Sequence, residues 1–257
     1  ATSPVVAVAQ WFAGLLDIDV LALHVSEDGD GLTARAVADA AGVKCELRAG
    51  DPVATIRDAA GAPDVRALAI GARGLPTHGM PAGHVALDVI GAVAKPVIVV
   101  PPDVRARRDA RLRVLAPVDE DPRSADALRR VLEEMHAPGL DLVLLRVFDA
   151  EHMPEFADHG TYDTDIFVEE LMRRTVLSAV AHTSVEMRVG NPAHTILAVE
   201  HELDFDVVVL GWNQDLVNGR ASVVKRLLAH AKTPMLLLPA HSLADTARTV
   251  SQRAGAS

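Results

Sequence analysis

Short apolar runs alternate along the chain with longer stretches whose apolar residues recur at helical spacing. In the second half, Arg113 to Val118 predicts a strand ending at Asp119. Ser124 to Met135 sets Ala127, Leu128, Val131 and Leu132 on one face, which predicts a helix with Asp121 as its N-cap. Leu142 to Val147 predicts the next strand, and after an irregular stretch with Pro154 and Gly160 a long helix is expected from Ile166 to Ala181. Strands follow over Val185 to Val189, Val207 to Leu210 and Met235 to Leu238, separated by helices over Pro192 to Glu202 and Ser222 to Ala231. The first half reads similarly: helix Pro4 to Leu16, strand Val20 to Val25, helix Thr33 to Ala41, strand Val43 to Leu47 and helix Val53 to Ala60. Strand Ala67 to Ile70, helix Gly83 to Val93 and strand Val97 to Val100 complete it. Such alternation needs crossover connections and predicts parallel sheets in an α/β fold.

The two halves are copies of one unit. Ala67-Leu68-Ala69-Ile70-Gly71 and Val207-Val208-Val209-Leu210-Gly211 are apolar runs stopped by glycine. Gly50-Asp51-Pro52 and Gly190-Asn191-Pro192 stand 21 residues upstream of those glycines (71 − 50 and 211 − 190). Lys95-Pro96-Val97 and Thr233-Pro234-Met235 open the closing strands. Landmarks kept in order at matched spacing mark an internal repeat. Two Rossmann-like domains are expected, each a doubly wound parallel five-stranded sheet: residues 1–103 and 112–241, with a linker at 104–111 and a tail at 242–257. Matching Asp19-Val20-Leu21 to Asp141-Leu142-Val143 puts Ala1 opposite Arg123, so the first copy has no counterpart of the strand Arg113 to Val118. A doubly wound sheet without that central strand has two apolar edges, and the expectation is that the native protein carries residues upstream of Ala1. The first copy is also shorter between its second and third strands, and either a short loop or omitted residues near Asp28 to Gly31 accounts for this.

Composition narrows the function. Apolar residues make up 49% and aromatics 3%, which suits strands buried on both faces rather than a surface that stacks bases. A net charge of −10 opposes binding along a polyanion, so no nucleic-acid partner is expected. Val5 to Leu16 is too short to span a bilayer, and no membrane partner is expected. The single cysteine, Cys45, fits a reducing cytoplasmic setting and reads as a small buried residue of a strand.

Ligands of open parallel sheets bind beyond the carboxyl ends of the strands where strand order reverses. That crevice would collect the end of the first strand and the loop after the fourth. In the first copy this loop reads Gly71-Ala72-Arg73-Gly74 and leads to Gly83-His84-Val85 at a helix start, a combination suited to phosphate. With Val189-Gly190-x-Pro192, its looser form Arg48-x-Gly50-x-Pro52 and the closing Pro-Val-type strands, the chain resembles the universal stress protein family in tandem form. The family fingerprint of Gly, two residues, Gly, nine residues and Gly-Ser/Thr holds ATP phosphates and ribose. The resemblance therefore implies a non-catalytic stress-response protein that binds ATP or another adenine nucleotide, with Mg²⁺ beside it. The binding set it implies is Gly71, Arg73, Gly74, Gly83, His84 and Val85 in the first copy. In the second it is Pro117, Asp119, Val147, Gly190, Gly211, Ser222 and Val223.

Both copies depart from the fingerprint. The first has eight residues between Gly74 and Gly83, with His84 in place of Ser or Thr. The second has Gln214 for the middle glycine and Ala221 for the last, with Trp212 and Asn213 in the turn. A nucleotide-independent tandem scaffold, its sites filled by Trp212 and Gln214, is therefore the alternative. Adenylating enzymes share the fold class, but the chain shows no lysine-rich phosphate loop, no paired acid and base and no Gly-x-Ser-x-Gly elbow. Asp119-Glu120-Asp121 reads either as a Mg²⁺ site or as an acidic helix start. His78, His84, His152, His159, His194 and His201 show no metal-ligand spacing and read as surface or capping residues. Arg105, Arg107, Arg108, Arg111 and Arg113 read as a solvated connector. The closing strands, Val97 to Val100 and Met235 to Leu238, offer apolar edges that pair either with each other inside the chain or in a homodimer.

Overall fold

The computed structural model describes residues 3–26, 31–72, 83–104, 111–119, 121–135, 139–148, 169, 182–214 and 221–240. Outside these residues lie the expected helix over 166–181 apart from residue 169, most of the loop at 28–31, most of the linker and the tail. The same holds for Arg73, Gly74, His78, Glu120, His152, His159, Arg105, Arg107 and Arg108.

The first copy runs α1 (Pro4–Leu16), β1 (Leu21–Ser26), α2 (Leu32–Ala40), β2 (Lys44–Ala49), α3 (Pro52–Ala60), β3 (Leu68–Gly71), α4 (His84–Ala92) and β4 (Val97–Val100). The second runs β5 (Arg113–Val118), α5 (Pro122–Glu134), β6 (Asp141–Phe148), β7 (His182–Val189), α6 (Pro192–Glu202), β8 (Val207–Trp212), α7 (Ala221–His230) and β9 (Met235–Pro239). Helix starts follow local chemistry. Proline occupies the first turn of α3, α5 and α6, where its missing N–H costs no hydrogen bond. Asp51, Asp121 and Asn191 cap these helices, their side chains accepting from the N–H of Ala54, Arg123 and His194.

The repeat extends to individual hydrogen bonds. The N–H of Gly50 donates to the Ser26 carbonyl, as that of Gly190 does to Phe148. The N–H of Leu68 donates to Pro96 at 2.9 Å, and that of Val208 to Pro234 at 3.0 Å. Gly50 and Gly190 both hold positive φ, +131° and +147°, a conformation open to glycine and strained for other residues.

Seven strands form one sheet in the order β3-β4-β9-β8-β5-β6-β7. Every neighbouring pair is parallel except β4 and β9, which run antiparallel with Val97 opposite Leu237 and Val99 opposite Met235. The expected two five-stranded sheets are thus merged at their closing strands. The remaining strands, β1 and β2, form a separate parallel pair, because no strand corresponding to β5 joins β1 to β3 among the described residues. The inner strands β4, β9, β8 and β5 carry buried residues on both faces, while the edge strands β3 and β7 are only half-buried or exposed. One core layer holds Val97, Val99, Met235 and Leu237 with α4, α6 and α7 residues such as Ile90, Ile196 and Leu227. The other holds Ile98, Val100, Leu236 and Leu238 with Val8 and Phe12 of α1 and Leu128 and Leu132 of α5.

Cys45 lies in β2 as expected, but it is half-buried rather than enclosed, in a sheet of two strands among the described residues. Glu200, not singled out in the sequence, is 6% exposed. Its Oε1 accepts from the N–H of Lys232 and Thr233, fastening α6 to the turn before β9.

A Cβ on residue 190 would lie 3.0 Å from Thr195 Oγ1 in a disfavoured conformation, whereas one on Gly14, inside α1, meets nothing within 4 Å. Gly190→Ala is therefore expected to destabilise the chain by about 1–3 kcal/mol, and Gly14→Ala to stabilise it by about 0.5–1 kcal/mol. Urea unfolding followed by circular dichroism checks both signs.

Candidate functional site

Strand order reverses where β5 sits between β8 and β6, so the crevice of the second copy opens at the carboxyl ends of β5 and β8. Asp119 follows β5 directly and its Oδ1 accepts from the N–H of Asp121 at 2.9 Å. Asp121 in turn caps α5, and its carboxylate also takes the Arg123 guanidinium at 3.1 and 3.0 Å. This carboxylate is committed to the helix start and to a salt bridge, which supports the acidic-cap reading over a Mg²⁺ pair. Pro117 and Val118 of β5 stand opposite Leu145 and Arg146 of β6, so Val147 lies one residue beyond that register. Gly190 closes β7 through its bond to Phe148 at 2.9 Å.

Gly211 and Trp212 end β8. A Cβ on residue 211 would lie 2.7 Å from the Cα and Cβ of Ser124, so glycine here lets the strand press against the first turn of α5. Ser124 Oγ, buried at that contact, has no hydrogen-bond partner among the described residues. Trp212 is 3% exposed and belongs to the core layer that contains Val89 and Ile90 of α4 and Val93 just after it. Gln214 has φ of +59° where the fingerprint has glycine. Its Nε2 donates to the carbonyls of Val93 at 2.6 Å and Ile90 at 3.5 Å, so it satisfies the last turn of α4 from the other copy. Ser222 and Val223 occupy the first turn of α7, with Ser222 exposed and Val223 packed on the core.

In the first copy, Gly71 ends β3 and Gly83 precedes α4. The Gly83 N–H donates to the Ala72 carbonyl at 3.3 Å, holding the start of α4 beside the end of β3. His84 opens α4 and Val85 packs on the core. The structure does not bring these residues to the second crevice, since β4 and β9 separate β3 from β8. The wall that β5 supplies in the second copy has no equivalent beside β3 among the described residues.

Arg146 was missed by sequence reasoning, although an arginine inside the apolar run Leu142 to Phe148 is a visible signal. Its Nη1 donates to the Val118 carbonyl at 3.4 Å and its guanidinium lies 5.2 Å from the Phe148 ring centre, placing a cation beside the end of β5. His194 and His201 are both exposed on α6, and among the described residues no three potential ligands gather for a metal. No described helix is long and apolar enough to cross a membrane.

The model of the Universal stress protein family matches residues 26–101 and 111–239. Among solved structures, a universal stress protein from Archaeoglobus fulgidus DSM 4304 aligns at 19% identity and a TM-score of 0.55, over 80% of this chain and 73% of its own. A functionally unknown protein from Pseudomonas aeruginosa PAO1 aligns at 15% identity and a TM-score of 0.61, over 95% of this chain and 90% of its own. Among curated proteins none matches the chain.

The Gln214 side chain ties the two copies through its hydrogen bonds to the α4 terminus. Gln214→Ala is expected to lower stability by about 1–2 kcal/mol. Gln214→Gly should cost less, because glycine relieves the left-handed backbone. Thermal unfolding should rank the three chains, from most to least stable, as wild type, Gln214→Gly and Gln214→Ala.

Proposed function

From the membership of this chain in the universal stress protein family, we propose a non-catalytic, cytoplasmic stress-response protein that binds ATP or another adenine nucleotide at the crevice of its second copy. The observation that carries the reading is the meeting of Asp119 after β5 with the end of β8 at the strand reversal. Asp119 would receive the adenine or ribose end. The first turn of α7, with Ser222 and Val223, would take phosphate through its N–H groups. Ser124 Oγ, buried beside Gly211 and without a hydrogen-bond partner among the described residues, is consistent with this use. The carboxylate of Asp121 does not suit Mg²⁺, so a metal would enter with the phosphates and not on a site of paired acids.

A second reading has its own support. Trp212 is buried in the core and Gln214 reaches across to α4, which favours a nucleotide-independent scaffold whose turn after β8 serves packing between the copies.

Isothermal titration of the full chain with ATP and Mg²⁺ separates the two. The nucleotide reading expects a dissociation constant below millimolar, weakened about tenfold or more by Asp119→Ala, equivalent to about 1.4 kcal/mol. Absence of binding tighter than millimolar would leave the scaffold reading in place.

A further inference from the structure

Of the four lysines in the chain, Lys44, Lys225 and Lys232 are exposed and Lys95 alone is half-buried. Its place is set by backbone on both sides. Pro96 leads the chain into β4, and its carbonyl accepts from the N–H of Leu68 at the start of β3. The connection from α3 to β3 turns at Ala62 to Val65, where the Val65 N–H donates to the Ala62 carbonyl at 3.1 Å. Lys95 Nζ sits in this turn and donates to the carbonyls of Ala62 and of Val65, the latter at 2.5 Å. The side chain thereby fastens the α3–β3 connection to the entrance of β4.

The other copy makes the same joint the opposite way round. Thr233 and Pro234 stand where Lys95 and Pro96 do. There Glu200 of α6 reaches to the N–H groups of Lys232 and Thr233, so the helix supplies an acceptor to the turn. In the first copy the turn supplies an amine to the connection after the helix. The fold does not demand an amine at this position, since threonine occupies its equivalent.

The chemistry of that amine follows from its surroundings. Burial pushes the Lys95 amine below the usual lysine range; the Asp64 carboxylate opposes this and the Arg66 guanidinium adds to it. The two carbonyls take two N–H donors, which is all that a neutral primary amine has. Loss of the third proton therefore costs neither bond and leaves a lone pair directed away from both oxygens. A desolvated neutral amine is the nucleophilic form of lysine. Pro63 and Asp64 are exposed, so the turn that holds the amine lies at the surface. It stands at the amino ends of β3 and β4, the opposite end from the loop between Gly71 and Gly83.

We propose that Lys95 is a modification site, the lysine of this chain that accepts an acyl group from an acyl phosphate or an acyl thioester. Nζ attacks the acyl carbon and the N–C bond forms. The bond from that carbon to the phosphate oxygen or to sulfur breaks, the leaving group departs with its electron pair, and the nitrogen gives its extra proton to water. The resulting amide is uncharged and keeps a single N–H, so it holds one of the two carbonyls and not both. Acylation thus loosens the α3–β3 connection from the entrance of β4.

The probes are acetyl phosphate and a simple acetyl thioester, each incubated with the full chain at about pH 8, with acetylation of every lysine followed over time by mass spectrometry. In at least one arm, which identifies the donor class, Lys95 should react about threefold or more faster than Lys44, Lys225 or Lys232. Asp64→Asn should raise the rate at Lys95 further and leave the other three unchanged, because it removes the charge that favours the ammonium form. In guanidinium chloride, where the turn is lost, the four lysines should react alike. Equal or slower reaction of Lys95 in both arms, an advantage that persists in denaturant, or one that Asp64→Asn does not raise overturns the proposal.

Discussion

The antiparallel pairing of β4 with β9 holds the rest of the molecule in place. Each strand is apolar on both faces, so each would be an exposed adhesive edge if its copy stood alone. Pairing Val97, Ile98 and Val99 with Leu237, Leu236 and Met235 covers both edges at once. Strand alternation then sends Val97, Val99, Met235 and Leu237 into one core layer, and Ile98, Val100, Leu236 and Leu238 into the other. Both layers therefore run uninterrupted from one copy to the next. Enclosing such side chains contributes about 1.5–3 kcal/mol each, and they are shared by the two halves.

That junction lets the halves diverge. The first copy keeps Gly71 and Gly83 around its loop, yet its β1–β2 pair stands apart from the merged sheet. The second copy keeps β5 and Asp119 but places Trp212 in the core and lends Gln214 to α4. A residue at a ligand-loop position has become a contact between copies. The crevice and the junction are consequently coupled through the turn after β8, whichever use of the crevice prevails.

Much of this was legible in the sequence because its signals are local. Pro52, Pro122 and Pro192 with their capping neighbours mark helix starts, and unbroken runs such as Val207 to Leu210 mark strands buried on both faces. The matched Gly50 and Gly190 reveal the repeat, whereas the separation of β1 and β2 from the merged sheet was not anticipated. Merging of the sheets was one of two stated options, because an apolar edge reveals its need for cover and not which edge covers it. The roles of Gln214, Arg146 and Glu200 were out of reach for a different reason. Each depends on a contact with a segment distant in sequence: α4 for Gln214, the end of β5 for Arg146 and the turn before β9 for Glu200. Gly211 reads equally well as a phosphate-loop or a packing glycine until Ser124 is placed against it.

The pairing of β4 with β9 inside one chain is tested most directly by a covalent report on its register. Ile98 and Leu236 stand opposite each other across the junction, at a spacing that cross-strand cysteines can bridge. A chain carrying Ile98→Cys and Leu236→Cys, with Cys45→Ala, should form an intrachain disulfide when refolded under oxidising conditions at high dilution, giving a monomer without free thiols. Persistent free thiols, or disulfides found only between chains, would contradict the internal junction.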